Sequence, residues 1–262
     1  MSSTESVSQL DARHPSAGTP TVDLARRLQT LPVCTAMDIL RDVTPSRMVL
    51  RGIQPISSVP ERTLAGPVRT LRYLPVRHDA PRSPAGPVSL RTVDSLRPGE
   101  ILVLAAGGFE GGAVFGDMMA LGALSRGAAA VVADGAVRDV VGMDAVGLPV
   151  FGRCTYPVSG LSEVVAWDAD IAVQCGGALV QPGDWILADR EAAVVVPFSL
   201  VQRLDERMDQ FLDEDRFCQR LIAERGATLQ SVHPLSPALR AHFERFRRDG
   251  QIPTLGDVEA AA

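Results

Sequence analysis

Residues 101–139 read ILVLAAGGFEGGAVFGDMMALGALSRGAAAVVADGAVRD, and this stretch decides the fold. Ile101–Ala106 is an apolar run of strand length, and Gly107–Gly116 reads as a glycine-rich loop. Asp117–Arg126 has helical character, Ala128–Ala133 is a second buried strand, and Asp134-Gly135 reads as a turn. Val137–Ala145 follows as a short helix, and Leu148–Arg153 resumes as strand. Strands that alternate with helices imply an α/β unit with parallel strands, whose ligands sit where strands give way to helices.

Outward from this centre, Ala65–Leu74 alternates like a strand, and a loop rich in Pro, Arg and Gly follows from Pro75 to about Pro87. Val22–Leu31 and Thr35–Val43 have helical spacing, with Thr35 as the N-cap of the second and Asp38 three residues on. Downstream, Ile171–Cys175, Ala178–Val180, Trp185–Ala188 and Ala193–Val196 are short strands between Gly-Gly and Pro-Gly-Asp turns. Ser199–Arg225 is a charged helix and Ser236–Arg248 another. The organisation expected is a disordered lead-in over 1–20, a single α/β catalytic domain over 21–225, and a C-terminal helical extension over 226–262.

The 262 residues carry a net charge of −5, so no basic field invites nucleic acid. Apolar runs such as 101–106 and 192–196 are far too short to cross a bilayer, and the first twenty residues lack a hydrophobic signal core. A cytoplasmic location is therefore expected. Cys34, Cys154, Cys175 and Cys218 are scattered without a CxxC, which suits free thiols. The four histidines form no close pair.

Every one of the 26 Lys/Arg-type residues is arginine. A Schiff-base aldolase, a lysine-anchored pyridoxal phosphate enzyme and a Walker A loop are thereby excluded. The chemistry must come from carboxylates, arginine and backbone amides, with or without a metal. The glycine loop leading into a helix can cradle a carboxylate or phosphate on first-turn amides, or be a tight turn without a ligand. No window there gives G-x-G-x-x-G, which weighs against a dinucleotide site with Asp134 as the ribose acid. Arg138-Asp139 follows the second central strand. Adjacent Arg-Asp pairs are usually surface charge, but two parallel strands that end at one edge would bring Asp117 and Arg138-Asp139 into one crevice. Oxygen ligands suit Mg²⁺ or Mn²⁺, and arginine grips a carboxylate bidentately. Such a pair would hold a 2-oxo acid as a bond beyond C3 breaks.

The stretch Gly111–Asp139, with its D-x20-R-D spacing at Asp117, Arg138 and Asp139, resembles the family of 4-hydroxy-4-methyl-2-oxoglutarate/4-carboxy-4-hydroxy-2-oxoadipate aldolases. The regulator of ribonuclease E activity A belongs to the same family. Further matching pieces are Ala65–Thr70, Leu148–Arg153, Cys175–Asp189 and Val194–Pro197, and the resemblance covers roughly residues 30 to 225. It implies a compact β-β-α sandwich with flanking helices, assembled as a homotrimer or homohexamer with sites between subunits. It implies a class II aldolase that cleaves a 4-hydroxy-2-oxo acid to release pyruvate, with oxaloacetate decarboxylation as a companion activity. Asp139 would hold Mg²⁺ or Mn²⁺, and Arg138 with Gly116, Asp117, Met118 and Met119 would bind the pyruvyl group. Asp117 would also assist proton transfer. Asp38 stands where the family often has an acid donated by a neighbouring subunit. Alternatives are a non-catalytic trimeric regulator of a protein partner and a repurposed biosynthetic lyase for an unusual 2-oxo acid. The chain departs from the family pattern at Ala105-Ala106, at Arg77–Ser89 and in its longer C-terminus, where the distal part of a substrate could sit.

Overall fold

The computed structural model describes residues 19–43, 45–77, 79 and 87–261. The expected lead-in, up to residue 18, and most of the loop expected over 75–87 therefore lie outside the described residues. The chain divides into two compact units between Asp205 and Glu206.

In the first unit, α1 (Thr19–Leu28) and α2 (Val33–Ile39) precede β1 (Gln54–Ser57), β2 (Leu64–Pro75) and α3 (Val88–Asp94). The centre is β3 (Ile101–Phe115), α4 (Asp117–Ser125), β4 (Ala130–Val137), α5 (Val140–Val146), β5 (Val150–Gly152) and β6 (Cys154–Thr155). Then come β7 (Val164–Ala169), β8 (Val173–Cys175), β9 (Ala178–Val180), β10 (Trp185–Ala188), β11 (Ala193–Val196) and the long α6 (Phe198–Arg225). The expected α/β class is observed. One curled sheet has the order β1-β5-β4-β3-β2-β10-β11, with β6 added on β4 and β7 on β2, while β8 and β9 form a separate hairpin. β2, β3, β4 and β5 run parallel, and β10 joins β2 antiparallel.

Apolar side chains of the parallel strands, among them Leu104, Val131, Ala133 and Val137, pack beneath α4 and α5. α4 faces them with Ala120 and Ala123, small residues that let the helix lie close to the sheet, and α5 inserts Met143. Burial of this apolar surface, at about 25 cal/mol per Å², fixes both helices against the strands that precede them.

Four local expectations are corrected. The glycine stretch 107–116 is not a free loop, because β3 continues through it to Phe115. β3 advances from Leu104 to Phe109 while β4 advances only from Ala133 to Gly135. The surplus is taken up as irregularities that Gly107 and Gly108 allow with φ of 64° and 79°. Likewise Asp134-Gly135 is not a turn but part of β4, and the helix expected from Val137 begins only at Val140. Thr35 is not an N-cap. α2 begins at Val33 after Pro32, and the Val33 N–H donates to Asp189 Oδ2 at 2.9 Å. A distant carboxylate thus satisfies the helix end that a local hydroxyl was expected to cap.

The second unit, Glu206–Ala262, contains the rest of α6, α7 (Leu229–Val232), α8 (Pro237–Asp249) and α9 (Leu255–Ala261). Phe217, Leu221, Leu239, Phe243 and Val258 form its own core, with the Phe217 ring 5.6 Å from Phe243 and 5.3 Å from Phe246. Among the described residues no helix is long and apolar enough to cross a membrane.

Candidate functional site

β3 and β4 end side by side, with Phe115 opposite Val137 in register. The Arg138 N–H donates to the Phe115 carbonyl at 2.9 Å, so Gly116 and Arg138 emerge abreast. Gly116 is the N-cap of α4 in an extended conformation, and Asp117 is the first helical residue. Asp139 is the N-cap of α5. The three residues singled out by the D-x20-R-D spacing, with Gly116 before the first, are therefore gathered where two parallel strands hand over to two helices.

Asp139 holds the left-handed conformation, with φ 58° and ψ 41°, which side chains other than glycine rarely adopt. Such a backbone costs on the order of 1 kcal/mol and persists only when its surroundings fix it. The Asp139 carboxylate makes no capping bond to the α5 amides. It faces its neighbour instead, with Arg138 Nε 2.9 Å from Asp139 Oδ2. Gly116 makes room for this pair. A Cβ there would lie 2.8 Å from Asp139 Oδ2 and 3.3 Å from Arg138 Cγ.

Asp117 is seated in the same way. Its Oδ1 accepts from the Met118 N–H at 2.7 Å, and its Oδ2 lies over Gly142, where a Cβ would come within 2.7 Å. Each carboxylate is thus accommodated by a glycine on the neighbouring element. Gly116, Asp117 and Met119 are half-buried, whereas Met118, Arg138 and Asp139 are exposed, so the site opens at the surface of the protomer. Two carboxylates and one guanidinium leave an acidic balance, suited to a cation together with one anionic group. Asp38 lies exposed on α2.

Asp134 has a different place from that of a ribose-binding acid. It is 3% exposed, pairs with Arg153 Nε at 2.6 Å and accepts from the Gly176 N–H at 3.1 Å. It joins β4, the end of β5 and the β8–β9 hairpin from inside. The sequence reading passed over one residue that borders the site. The Tyr156 N–H donates to the Val137 carbonyl at 2.8 Å, which sets Tyr156 directly beside Arg138. The signal was present in the strand-like Leu148–Arg153, whose continuation beyond Arg153 runs along β4 to its end.

The RraA-like family profile (Aldolase/RraA) matches residues 33–195. A Halalkalibacterium halodurans protein provisionally named a 4-hydroxy-4-methyl-2-oxoglutarate aldolase is 23% identical, over 81% of this chain and 97% of its own length. A similarly named protein of Albidiferax ferrireducens is 31% identical, over 53% of this chain and 80% of its own. Among solved structures, Streptomyces coelicolor RraAS2, described as an unusual member of the RNase ES inhibitor RraA protein family, superposes with a TM-score of 0.65 at 30% identity. That likeness covers 74% of this chain and 94% of RraAS2. An uncharacterized Pseudomonas syringae protein shares the fold with a TM-score of 0.71 at 24% identity, over 80% of this chain and 92% of its own.

Proposed function

The chain belongs to the RraA-like family, and from that premise we propose a divalent-metal-dependent carbon–carbon lyase: a class II aldolase that cleaves a 4-hydroxy-2-oxo acid and releases pyruvate. Decarboxylation of oxaloacetate is the companion reaction. The observation that carries this reading is the meeting of Asp117, Arg138 and Asp139 around Gly116 at the ends of β3 and β4.

A divalent cation fits this donor set. Mg²⁺ and Mn²⁺ prefer oxygen ligands, and Mg²⁺ commonly takes one or two carboxylates while it keeps several waters. Among the described residues no three His, Cys, Asp or Glu side chains gather as a cage, which leaves this one- or two-carboxylate mode. Asp139 would hold the ion, with Asp117 holding one of its waters. When bound, the ion supplies Lewis-acid polarisation of the 2-oxo acid.

The chain's own residues do the remainder. Arg138 turns its planar fork to the substrate carboxylate and fixes the 2-oxo acid in one orientation. The backbone of Gly116–Met119 borders the same group, and the missing Cβ at Gly116 lets the Arg138–Asp139 pair sit close to that backbone. Asp117 accepts the proton of the 4-hydroxyl as the C3–C4 bond breaks. The bonding pair moves toward the 2-oxo group, and a proton returned to C3 completes pyruvate while the other fragment leaves as a carbonyl compound.

The site is open at the protomer surface and is flanked by exposed apolar residues, with Met118 75%, Leu121 52% and Val141 85% exposed. A homotrimer or homohexamer that closes the site between subunits follows from this reading. Sedimentation equilibrium checks it, and a fully active monomer would refute it. The decisive assay measures pyruvate release from oxaloacetate or a 4-hydroxy-2-oxo diacid. Activity should vanish in EDTA and return with Mg²⁺ or Mn²⁺; full activity without metal would overturn the mechanism. The likeness to RraAS2 favours a second reading, a non-catalytic regulator of a protein partner, under which no pyruvate appears with any metal.

A further inference from the structure

The row that begins with Gly116 and Arg138 extends onto a third strand. β6 pairs with β4 in parallel, with Cys154 opposite Ala136 and Thr155 opposite Val137. Just past these pairs the Tyr156 N–H donates to the Val137 carbonyl at 2.8 Å and the Arg138 N–H to the Phe115 carbonyl at 2.9 Å, so the backbones of Tyr156 and Gly116 flank that of Arg138. The row across the three strand ends is thus glycine, arginine, tyrosine. Its first member has no side chain and its third supplies a large ring, 39% exposed. Among the described residues no hydrogen bond engages the Tyr156 phenol.

The segment that carries this ring has a consistent character. Residues 154–161 read CTYPVSGL, without a single charge. Val158 and Leu161 are 59% and 69% exposed, and the segment is tied down by the Ala113 N–H, which donates to the Val158 carbonyl at 2.8 Å. A substrate group that extends from Arg138 over Tyr156 would meet an aromatic face, whose quadrupole is negative, and apolar side chains. A second carboxylate there would find no cation on this segment to pair with.

Resting on the aldolase reading, we propose that Tyr156 is a specificity-determining residue. It receives the distal part of the 2-oxo acid and selects a neutral, apolar substituent over a second carboxylate. The substrate class is then a 4-hydroxy-2-oxo monoacid, in contrast to the dicarboxylate in the name carried by the H. halodurans relative.

The test uses the full chain with Mg²⁺ and three ligands that are not cleaved, with binding measured by calorimetry. Oxalate mimics the pyruvyl head and has no tail. 2-Oxopentanoate and 2-oxoglutarate have five carbons each and differ in whether the tail ends in a methyl group or a carboxylate. The wild type should bind 2-oxopentanoate at least about tenfold more tightly than 2-oxoglutarate. Tyr156→Ala should reduce that preference to about twofold or less while oxalate affinity stays within about twofold. Tyr156→Phe keeps the ring and should keep the preference, which also guards against a folding defect in the alanine variant. A wild type that favours 2-oxoglutarate, or a Tyr156→Ala protein with an unchanged preference, would overturn the role of Tyr156 while oxalate binding left the aldolase reading standing. A wild type that binds none of the three would overturn both.

Discussion

Replacing Gly116 with alanine separates the site from the fold. The added methyl group would lie 2.8 Å from Asp139 Oδ2, where ordinary contact begins at 3.4 Å, so the carboxylate must retreat by about 0.6 Å. Arg138 Cγ, at 3.3 Å from the same point, must also give slightly. The backbone does not resist the change, since Gly116 has φ −157° and ψ −175°, an extended conformation open to any residue. The yielding atom is the end of a side chain, and alanine restricts the unfolded chain, a gain of about 0.4–1 kcal/mol where the native conformation permits it. Stability should therefore stay within about 1 kcal/mol of wild type, or roughly 2–4 °C in Tm. Catalytic geometry is less forgiving. A misplacement of about 1 Å can cost on the order of 100-fold, so a shift of this size should lower kcat/KM by about 10- to 100-fold, or 1.4–2.7 kcal/mol. Pyruvate release, coupled to NADH oxidation by lactate dehydrogenase, reads the first quantity and a circular dichroism melt reads the second. A folded Gly116→Ala protein with wild-type turnover would show that the Asp139 carboxylate need not occupy its observed position. Extensive unfolding would show that Gly116 serves the fold.

Arg138→Ala should reduce kcat/KM at least about tenfold, since a charge-assisted hydrogen bond contributes roughly 1.5–3 kcal/mol, and Arg138→Lys should fail to restore it because the bidentate fork is lost. Both should melt near the wild-type temperature, and normal turnover in either would remove Arg138 from the mechanism. The Cys34 thiol donates to Glu191 Oε2 at 2.7 Å; chiefly for that reason, and with burial adding to it, its pKa is pushed up to about 11. Although exposed, it should alkylate slowly with iodoacetamide at pH 8, and Glu191→Gln should lower the pKa, enlarge the thiolate fraction and speed the reaction by roughly tenfold. An equal rate in the two proteins would show that Glu191 does not govern this thiol.

What the sequence disclosed of the fold followed its physical periodicities. The apolar runs of β3 and β4 and the D-x20-R-D spacing were legible because buried parallel strands and a connecting helix leave continuous marks. β9, β10 and β11 were bounded to the residue by their flanking Gly and Pro turns. β1, β6 and β7 were not read. β6 is only two residues long, and β7, VVAWDA, carries an ionisable residue among apolar ones because it lies at an edge against β2. The glycine stretch misled for a related reason. Glycine has no side chain to alternate, so a strand made largely of glycine shows no period of two, and its pairing with β4 is decided by tertiary contacts that composition does not record.

The candidate site was legible as a set of residues but not as an arrangement. Spacing alone placed Asp117, Arg138 and Asp139 at one sheet edge; it did not show that Asp139 sits in a left-handed backbone, nor that each carboxylate faces a glycine. Those two features explain why the spacing matters. Phe115 and Val137 are opposite each other, so Gly116 and Arg138 share a face. Because side chains alternate along a strand, a one-residue change within β4 would turn Arg138 to the other face and part it from Gly116. The same register carries Tyr156 into the row from a segment that no motif marked. The helix and the strand between Asp117 and Arg138 thus act as a ruler, and the acid and the arginine come to one sheet edge because β3 and β4 end in step, with the backbone of Tyr156 beside them.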